Sequence, residues 1–263
     1  MSMKFKIKAG RHLIQLIALA ILFPPLYFTG VVWLGTYISA DFMGIGLTDP
    51  LTALEVTLAG KTWWGTLWIS ALPLLLIAFV FGRVFCSYVC PLNFLLELLP
   101  VKRKKMLSGK TLPIAILGLV LILSLILSVP VFNLTSPIFA LMRVVLFGAG
   151  LEAALVLIVL AASLCWGQKI WCRTMCPLGA LYGVLGTKRR LFLQVDANRC
   201  IHCGKCMTAC TMGTRPGASG LDDAYLCTNC GDCVDACEKG AIRFTLRGPG
   251  DDVLKKGDYH ETV

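Results

Sequence analysis

Charged residues are scarce in this chain of 263 residues. They make up 15% of the sequence, whereas apolar residues make up 57%, and the mean hydropathy is +0.75. Soluble domains carry about 25% charged residues, so this composition excludes an ordinary soluble domain and predicts a membrane protein. Acidic residues are the scarcer kind: 15 Asp and Glu stand against 25 Lys and Arg, for a formal net charge of +10.

Four apolar runs have close to the roughly 20 residues that a helix needs to cross a bilayer. They are residues 13–34, 63–81, 112–131 and 149–166. We therefore predict four transmembrane helices, the first of them kinked at Pro24 and Pro25. Most basic residues of the short connections fall on one side of these helices, which predicts that both termini lie in the cytoplasm. This distribution accounts for the positive charge without nucleic-acid binding.

Eight of the thirteen cysteines form two runs of identical spacing, C-x2-C-x2-C-x3-C. Dense thiolates favour iron–sulfur clusters, and in bacterial ferredoxins with this spacing the fourth cysteine of each run binds the other run's cluster. We therefore predict two 4Fe–4S clusters. The first would be held by Cys200, Cys203, Cys206 and Cys237. The second would be held by Cys227, Cys230, Cys233 and Cys210.

Zinc and disulfide bonds explain these runs less well. Structural zinc sites use two C-x2-C pairs set well apart, and disulfide frameworks belong to small secreted domains. Ferredoxin runs usually continue with Pro after the fourth cysteine, whereas Thr211 and Glu238 stand at these positions, which puts the local turn in question more than the ligation.

Apolar residues alternate over 191–195 and 242–246, which predicts two paired strands closing an α+β ferredoxin-like domain of residues 191–247. Residues 248–263 are predicted to be a polar tail.

The first 190 residues contain an internal repeat. Residues 83–91 (RVFCSYVCP) match residues 169–177 (KIWCRTMCP), and each half carries a helix, an outer segment, a second helix and a C-x3-C-P motif. This pattern predicts two parallel repeats in an all-α membrane domain. The outer segments begin with Asp49 or Ser136 followed by Pro and end at Gly60 or Gly148, which predicts short interfacial helices.

The two C-x3-C-P motifs supply a second group of thiols. We expect both sulfurs of each motif on one helix face and all four at a similar depth, so that they can converge. Three interpretations stay open: a third iron–sulfur or metal site, redox-active thiols, and plain packing. The cysteines concerned are Cys86, Cys90, Cys172 and Cys176. Cys165 lies outside the repeat, and we expect it to serve packing.

Ionisable residues at the outer face are candidates for proton transfer. Glu55 and Glu152 would accept protons if a quinol is oxidised here. A structural ion pair between Arg143 and a glutamate is an equally open interpretation. His12 is predicted to be an interfacial anchor.

Taken together, these features resemble the NapH/MauN family of membrane iron–sulfur proteins. The resemblance is carried by residues 47–51 (LTDPL), 85–93 (FCSYVCPLN), 176–186 (CPLGALYGVLG) and both cysteine runs. It implies an electron-transfer subunit of a quinol dehydrogenase in the bacterial inner membrane. Such a subunit oxidises quinol and, with a periplasmic ferredoxin-like protein and a membrane-anchored multihaem cytochrome, passes electrons towards a periplasmic reductase, first of all nitrate reductase. An alternative within the resemblance is a redox sensor or maturation factor for nitrous oxide reductase or cytochrome oxidase.

Overall fold

The fold is known from a computed structural model that describes residues 7–22, 33–35, 39–42, 45–99, 111–148, 150–196, 198–214, 216 and 225–246. Helices predominate in this part of the chain. They are α1 (Ile7–Leu22), α2 (Pro50–Gly60), α3 (Gly65–Phe81), α4 (Val84–Tyr88), α5 (Pro91–Leu98), α6 (Thr111–Leu127), α7 (Val131–Thr135), α8 (Pro137–Phe147), α9 (Leu151–Trp166), α10 (Pro177–Leu185), α11 (Lys205–Ala209) and α12 (Asp232–Asp235). A π-helical turn covers Trp171–Met175 and a 3₁₀ turn covers Gly186–Lys188.

The helices in the four apolar runs are shorter than the runs themselves. Helices α1 and α9 have 16 residues, and α3 and α6 have 17. Among the described residues, no helix combines the length and the apolar character required to cross a membrane. The prediction of an all-α membrane domain with four transmembrane helices is therefore wrong.

Turn residues mark where three of these helices end. Ser128, with φ 54°, follows α6 inside the third run, whereas Gly82, with φ 71°, and Gly167, with φ 133°, follow α3 and α9 directly after the second and fourth runs. A residue in this conformation cannot continue an α-helix, so α6 ends before its apolar run does. Helices α3 and α9 are shorter than their runs because each begins two residues inside its run. In the first run, residues 33–35 form a strand. The predicted kink at Pro24 and Pro25 lies outside the described residues, as do the basic segment 100–110 and the predicted tail 248–263.

Two small antiparallel sheets accompany the helices. Strands β1 (Trp33–Gly35), β2 (Ser39–Phe42) and β3 (Ile45–Thr48) form the first sheet in sequence order, which the sequence analysis did not predict. Strands β4 (Leu191–Val195) and β5 (Ile242–Leu246) form the second, with Leu191 opposite Leu246 and Val195 opposite Ile242. This pairing confirms the two strands predicted to flank the cysteine runs.

The predicted helix starts of the repeat are confirmed. The Asp49 carboxylate accepts a 2.9 Å hydrogen bond from the Leu51 N–H at the start of α2, and the Ser136 hydroxyl accepts one of 3.2 Å from the Ile138 N–H at the start of α8. Gly148 follows α8 as predicted, whereas α2 includes Gly60 and is followed by Lys61 with φ 50°. The end of α2 was therefore predicted one residue too early.

The segment that carries the cysteine runs docks on the helices. Ser87 donates a 2.8 Å hydrogen bond to the Thr228 carbonyl, and Asn229 donates one of 3.0 Å to the Phe81 carbonyl. At the start of α1, the Asp235 carboxylate accepts hydrogen bonds from the Ile7 and Lys8 N–H groups, where the helix dipole favours a negative charge. These contacts fix the second cysteine run beside the C-x3-C-P motifs.

Candidate functional site

Each C-x3-C-P motif forms the same local turn. The Cys90 N–H donates to the Phe85 carbonyl at 3.1 Å, and the Cys176 N–H donates to the Trp171 carbonyl at 3.0 Å, so both bonds span five residues. Such π-type turns inside or beside helices are frequent at functional sites. Pro91 and Pro177 then stand at the first position of α5 and α10. The prolines therefore begin new helices after the motifs, in accordance with the fixed φ of Pro at that position.

The four motif thiols converge in the main hydrophobic core. Cys90 and Cys176 are buried members of this core, and Cys86 and Cys172 pack against it. Burial raises the pKa of all four thiols, and it raises the pKa of Cys172 to about 11. The negative charge of a neighbouring motif thiolate raises the pKa values of Cys90, Cys172 and Cys176 further. The thiols are therefore neutral unless a cationic group offsets their charge, which is what a bound metal does.

Two buried cations lie against these thiols. The Arg83 guanidinium donates hydrogen bonds to the carbonyls of Cys172, at 3.0 Å, and Tyr225, at 3.4 Å, and its charge lowers the pKa of the Cys86 thiol against the effect of burial. The Lys169 ammonium pairs with Glu97 at 2.5 Å and opposes the rise in the pKa of Cys172. Both side chains are almost inaccessible to water.

The second cysteine run gathers around one cavity together with Cys210 of the first run. The cavity is lined by Cys210, Cys227, Cys230 and Cys233, with Leu193 and Met212 among the apolar residues. Burial raises the pKa of Cys233, and the charges of Cys230, Cys227 and Cys210 raise it further. The structure therefore brings together the four thiols of one predicted ligand set, including the one from the other run.

The first cysteine run lies nearer the surface. Cys200 and Cys203 are close enough to Cys206 that their charges raise the pKa of its thiol in addition to burial. Cys206 and Cys237 pack against the same small apolar cluster, which is formed by Leu193, Cys233 and Ile242. An ion pair between Lys205 and Glu238 joins the residues next to Cys206 and Cys237. These contacts bring the fourth cysteine of the second run to the first run.

Several buried donors near the thiols lack partners, and they fit an iron–sulfur group. Among the described residues, Arg83 Nε, Trp171 Nε1, Thr211 Oγ1 and the Tyr225 hydroxyl are buried without a hydrogen bond. Each belongs to a residue adjacent in sequence or in space to a predicted ligand, and cluster sulfurs accept hydrogen bonds from such groups. Among the described residues, no three His, Cys, Asp or Glu side chains lie close enough together to bind one metal ion. Thiolates of a 4Fe–4S cluster bind separate irons and therefore stand farther apart.

The predicted proton acceptors have different surroundings. Glu55 is buried and accepts hydrogen bonds from the Phe132 N–H at 2.9 Å and from Ser124 at 3.3 Å. Glu152 forms an ion pair with Arg143 at 2.5 Å, and both side chains are about one third exposed. Glu152 is therefore the glutamate that pairs with Arg143.

Two further sequence predictions can be compared with the fold. His12 is half-buried and lies edge-on to Phe94. The Cys165 side chain is exposed, so its predicted role in packing is wrong.

Sequence reasoning missed three groups beside the motif thiols. Arg83 and Lys169 were counted only as loop charges, although both precede the first cysteine of a C-x3-C-P motif by three residues. Tyr182 donates a 2.5 Å hydrogen bond to the Asp49 carboxylate, which had been identified only as a helix cap. The equivalent positions of the two cations in the repeat were the available signal. Nothing in the sequence pairs Asp49 with Tyr182.

Comparison with known proteins places the cysteine motifs within iron–sulfur families. A family model described as a 4Fe-4S binding domain matches residues 62–108 and again residues 149–194, so each match contains one C-x3-C-P motif. A second model of the same description matches residues 192–214, which contain the first cysteine run. No solved structure matches the chain.

Individual relatives cover most of the chain. The methylamine utilization ferredoxin-type protein MauN of Paracoccus denitrificans is 33% identical over 67% of this chain and 65% of its own length. MauN of Methylorubrum extorquens and the ferredoxin-type protein NapH of Haemophilus influenzae are each 31% identical over 76% of this chain and 73% of their own length. The matched region thus spans just under two thirds of the Paracoccus protein and nearly three quarters of the other two.

Proposed function

Since the chain belongs to the NapH/MauN family and is an iron–sulfur electron-transfer protein, we propose that it takes electrons from quinol and passes them towards a periplasmic reductase. Nitrate reductase is the proposed acceptor. The observation that carries the proposal is the grouping of twelve cysteines into three neighbouring sets within one folded body. Iron–sulfur clusters supply one-electron transfer when bound, whereas quinol gives up two electrons, so several sites in one chain suit this donor.

We assign the three sets as follows. Cys200, Cys203, Cys206 and Cys237 would hold one 4Fe–4S cluster, and Cys227, Cys230, Cys233 and Cys210 would hold a second. Cys86, Cys90, Cys172 and Cys176 would hold a third iron–sulfur group. This last assignment is supported by the convergence of the four thiols and by the two matches to a 4Fe-4S binding model over the motifs that carry them.

Association with the inner membrane is the second part of the proposal. Helices α3, α6 and α9 expose large apolar side chains, such as Ile69 at 73%, Ile126 at 70% and Leu151 at 93%. Exposed apolar faces of this kind are typical of surfaces that contact lipid or another protein. We propose that they contact lipid, since quinol is dissolved there, with the cysteine runs on the cytoplasmic side.

Proton release is the third part. Quinol that gives up electrons must also lose protons, and a buried carboxyl group with a raised pKa is suited to accept one. Burial raises the pKa of Glu55, although hydrogen bonds from Phe132 and Ser124 oppose the rise. Glu55 is therefore the preferred acceptor. Glu152, whose carboxylate is already paired with Arg143, is the secondary one.

Counting iron tests the occupancy of the three sets. Anaerobically purified protein should contain about twelve irons and as many acid-labile sulfides per chain. Replacing Cys86, Cys90, Cys172 and Cys176 together by Ser should lower the count to about eight, whereas replacing the exposed Cys165 should leave it unchanged. A wild-type count of about eight that the fourfold variant does not alter would remove the third group from the proposal.

Quinol oxidation has its own test. Adding a ubiquinol or menaquinol analogue to the loaded protein in lipid should produce the EPR signal of reduced clusters. Glu55→Gln should slow this reduction, whereas Glu152→Gln should change it less. An unchanged, fully oxidised spectrum in the presence of the proposed periplasmic ferredoxin-like partner and multihaem cytochrome would contradict quinol as the electron donor.

The relatives also leave room for a second candidate function, since two of the compared proteins are named for methylamine utilization rather than for nitrate reduction. The second candidate is a redox sensor or maturation factor for a metalloenzyme, which would use the same clusters without quinol turnover. Reduction by dithionite combined with no reduction by quinol would support this second function over the first.

A further inference from the structure

The two cysteine runs form the same local structure. Aligned by their cysteines, the runs place Gly231 opposite Gly204 and Asn229 opposite His202. The φ angles are 70° and 82° at the two glycines and 51° and 52° at His202 and Asn229. Each glycine is followed directly by a short helix, which is α11 in the first run and α12 in the second. The surfaces of the two loops can therefore be compared position by position.

In the second run, helix α1 covers this loop. Ile7 packs on Gly231, where an added Cβ atom would lie 2.6 Å from its Cγ2 atom. Arg11 pairs with the Asp232 carboxylate at 3.0 Å, and the Asp235 carboxylate accepts hydrogen bonds from two N–H groups at the start of α1. An apolar side chain on the glycine and a cation on the acidic residue thus hold α1 against the second run.

The same loop of the first run is exposed. We call its surface the open face, which consists of Ile201, Cys203, Gly204, Lys205 and Met207. Ile201 is 62% exposed and Met207 is 51% exposed, and the Cys203 thiol is exposed as well. Apart from its chain neighbours, no described residue has an atom within 4 Å of the position that a Cβ atom would take at Gly204. The place that Ile7 fills in the second run is therefore open in the first, within the described part of the chain.

The charge of the open face is opposite to that of the second run. Lys205 stands where the second run has Asp232. Lys205 pairs with Glu238, but the two side chains are 53% and 75% exposed, and such a pair contributes only about 0–1 kcal/mol. Lys239, the next residue along, is also exposed and adds a second cation. A partner of the open face should therefore present a carboxylate where α1 presents Arg11 to the second run.

We propose that the open face docks an acidic electron-carrier protein, which contacts it as α1 contacts the second run. The carrier places an apolar side chain on Gly204 and a carboxylate on Lys205, with Ile201 and Met207 as the apolar centre of the contact. Because the exposed Cys203 is a proposed cluster ligand, a carrier docked here is close to the first cluster. A protein suits this surface better than lipid does, because the matching surface of the second run takes up a helix. This inference rests on the proposed cluster of the first run.

Binding of flavodoxin, an acidic protein that carries electrons on FMN, tests the inference. The full-length, iron-loaded protein is held in nanodiscs of neutral phosphatidylcholine, and its dissociation constant for flavodoxin is measured anaerobically by biolayer interferometry. Lys205→Asp and Ile201→Thr introduce the residues found at the same positions of the second run, so each new side chain already occurs in this loop. Lys61→Asp is the control, since it makes the same change of charge at an exposed position outside the cysteine runs.

We expect Lys205→Asp to raise the dissociation constant at least about tenfold at about 50 mM NaCl, because it sets a like charge against the carboxylate of the carrier. The effect should be much smaller at about 500 mM NaCl, because salt screens exposed charges. Ile201→Thr should raise the constant about threefold at both salt concentrations, since an apolar contact is not screened. Lys61→Asp should stay within about twofold of the wild type. If Lys205→Asp does not retain its iron, Ile201→Thr decides by the same measurement.

Three outcomes overturn the inference in different ways. No binding of flavodoxin by the iron-loaded wild type, or equal effects of Lys205→Asp and Lys61→Asp, refutes the docking face alone. Vesicles of phosphatidylglycerol that bind the wild type but not Lys205→Asp, with flavodoxin binding neither, would make the open face a lipid-binding surface instead. A wild-type iron count that Cys203→Ser does not lower refutes the first cluster itself, and with it that part of the proposed function.

Discussion

Asp49 allows a quantitative test of how the core treats a buried charge. Its side chain is 1% exposed, and it accepts hydrogen bonds from two backbone N–H groups at the start of α2 and from the Tyr182 hydroxyl. Burial raises its pKa from 3.8 to about 6, against the effect of these three hydrogen bonds. A rise of that size corresponds to about 3 kcal/mol of folding free energy.

The sign of the pH dependence follows from proton uptake. Between about pH 4 and pH 6 the folded protein holds the Asp49 proton while the unfolded chain has lost it. Stability therefore decreases as pH rises through this window and becomes constant above it. Asp49→Asn cannot ionise. Its one side-chain oxygen can keep the cap of α2, where Oδ2 accepts in the wild type, while its amide nitrogen takes the place of Oδ1 and donates to the Tyr182 hydroxyl. The stability of the variant relative to the wild type should increase by about 3 kcal/mol from pH 4 to pH 7.

Urea unfolding followed by tryptophan fluorescence measures this difference at each pH. Ser136→Ala is the matched control, because Ser136 caps the equivalent helix α8 without a charge. It should cost about 1 kcal/mol at every pH. A difference between Asp49→Asn and the wild type that does not vary from pH 4 to pH 7 would refute the argument from burial.

Three other substitutions test the packing around the site by the same unfolding measurement. Gly183→Ala forces a Cβ atom against the Tyr225 ring and should lower the free energy of unfolding by about 1–3 kcal/mol. Gly118→Ala is the control, because Gly118 of α6 faces open space, and it should raise the free energy of unfolding by up to about 1 kcal/mol. Equal effects of the two substitutions would contradict the close packing at Gly183. Arg11→Met leaves the buried carboxylate of Glu97 and the partly exposed carboxylate of Asp232 without this partner and should cost about 3–5 kcal/mol. A loss below about 1 kcal/mol would mean that water reaches both carboxylates. Glu55→Ala should cost about 1–3 kcal/mol more than Glu55→Gln, because only Gln keeps an acceptor for the Phe132 N–H; equal losses would contradict that hydrogen bond.

Local signals in the sequence predicted local structure well. The alternation over 191–195 and 242–246 gave both strands of the second sheet with their observed bounds. Ser and Asp before Pro gave the starts of α2 and α8, because a capping side chain and the fixed φ of Pro act within one turn. Such signals depend on neighbouring residues alone, and the rest of the chain does not override them.

The length of the helices could not be read from hydrophobicity. An apolar run shows that its residues avoid water, but it does not show where the backbone stops being helical. Glycines at 82 and 167 and a serine at 128 interrupt the helical conformation inside or at the edge of apolar sequence. A turn of this kind changes one φ angle and barely alters the mean hydropathy, so a window of about 20 residues does not detect it.

Half of the candidate site was visible in the sequence and half was not. Cysteine spacing identifies thiols that share a turn, and the repeat suggests that two such turns approach each other. The repeat does not show that Tyr225 packs against α10 beside the motif thiols, because this contact depends on how the segment that begins at Tyr225 docks on the helices. Contacts between distant segments come from packing, which has no periodic signature.

The burial of the three thiol sets suggests an order for them. Cys90 and Cys176 are in the main core, and Cys230 and Cys233 are buried beneath the second sheet, whereas Cys203 of the first run is exposed. Cys206 of the first run and Cys237 of the second pack against the same apolar cluster, and Tyr225 lies in the core that contains the motif thiols. Electron exchange between proteins requires close approach, which only an exposed site permits. The first run is therefore the expected point of exchange with a partner, and the buried motif thiols are the expected inner end of the path.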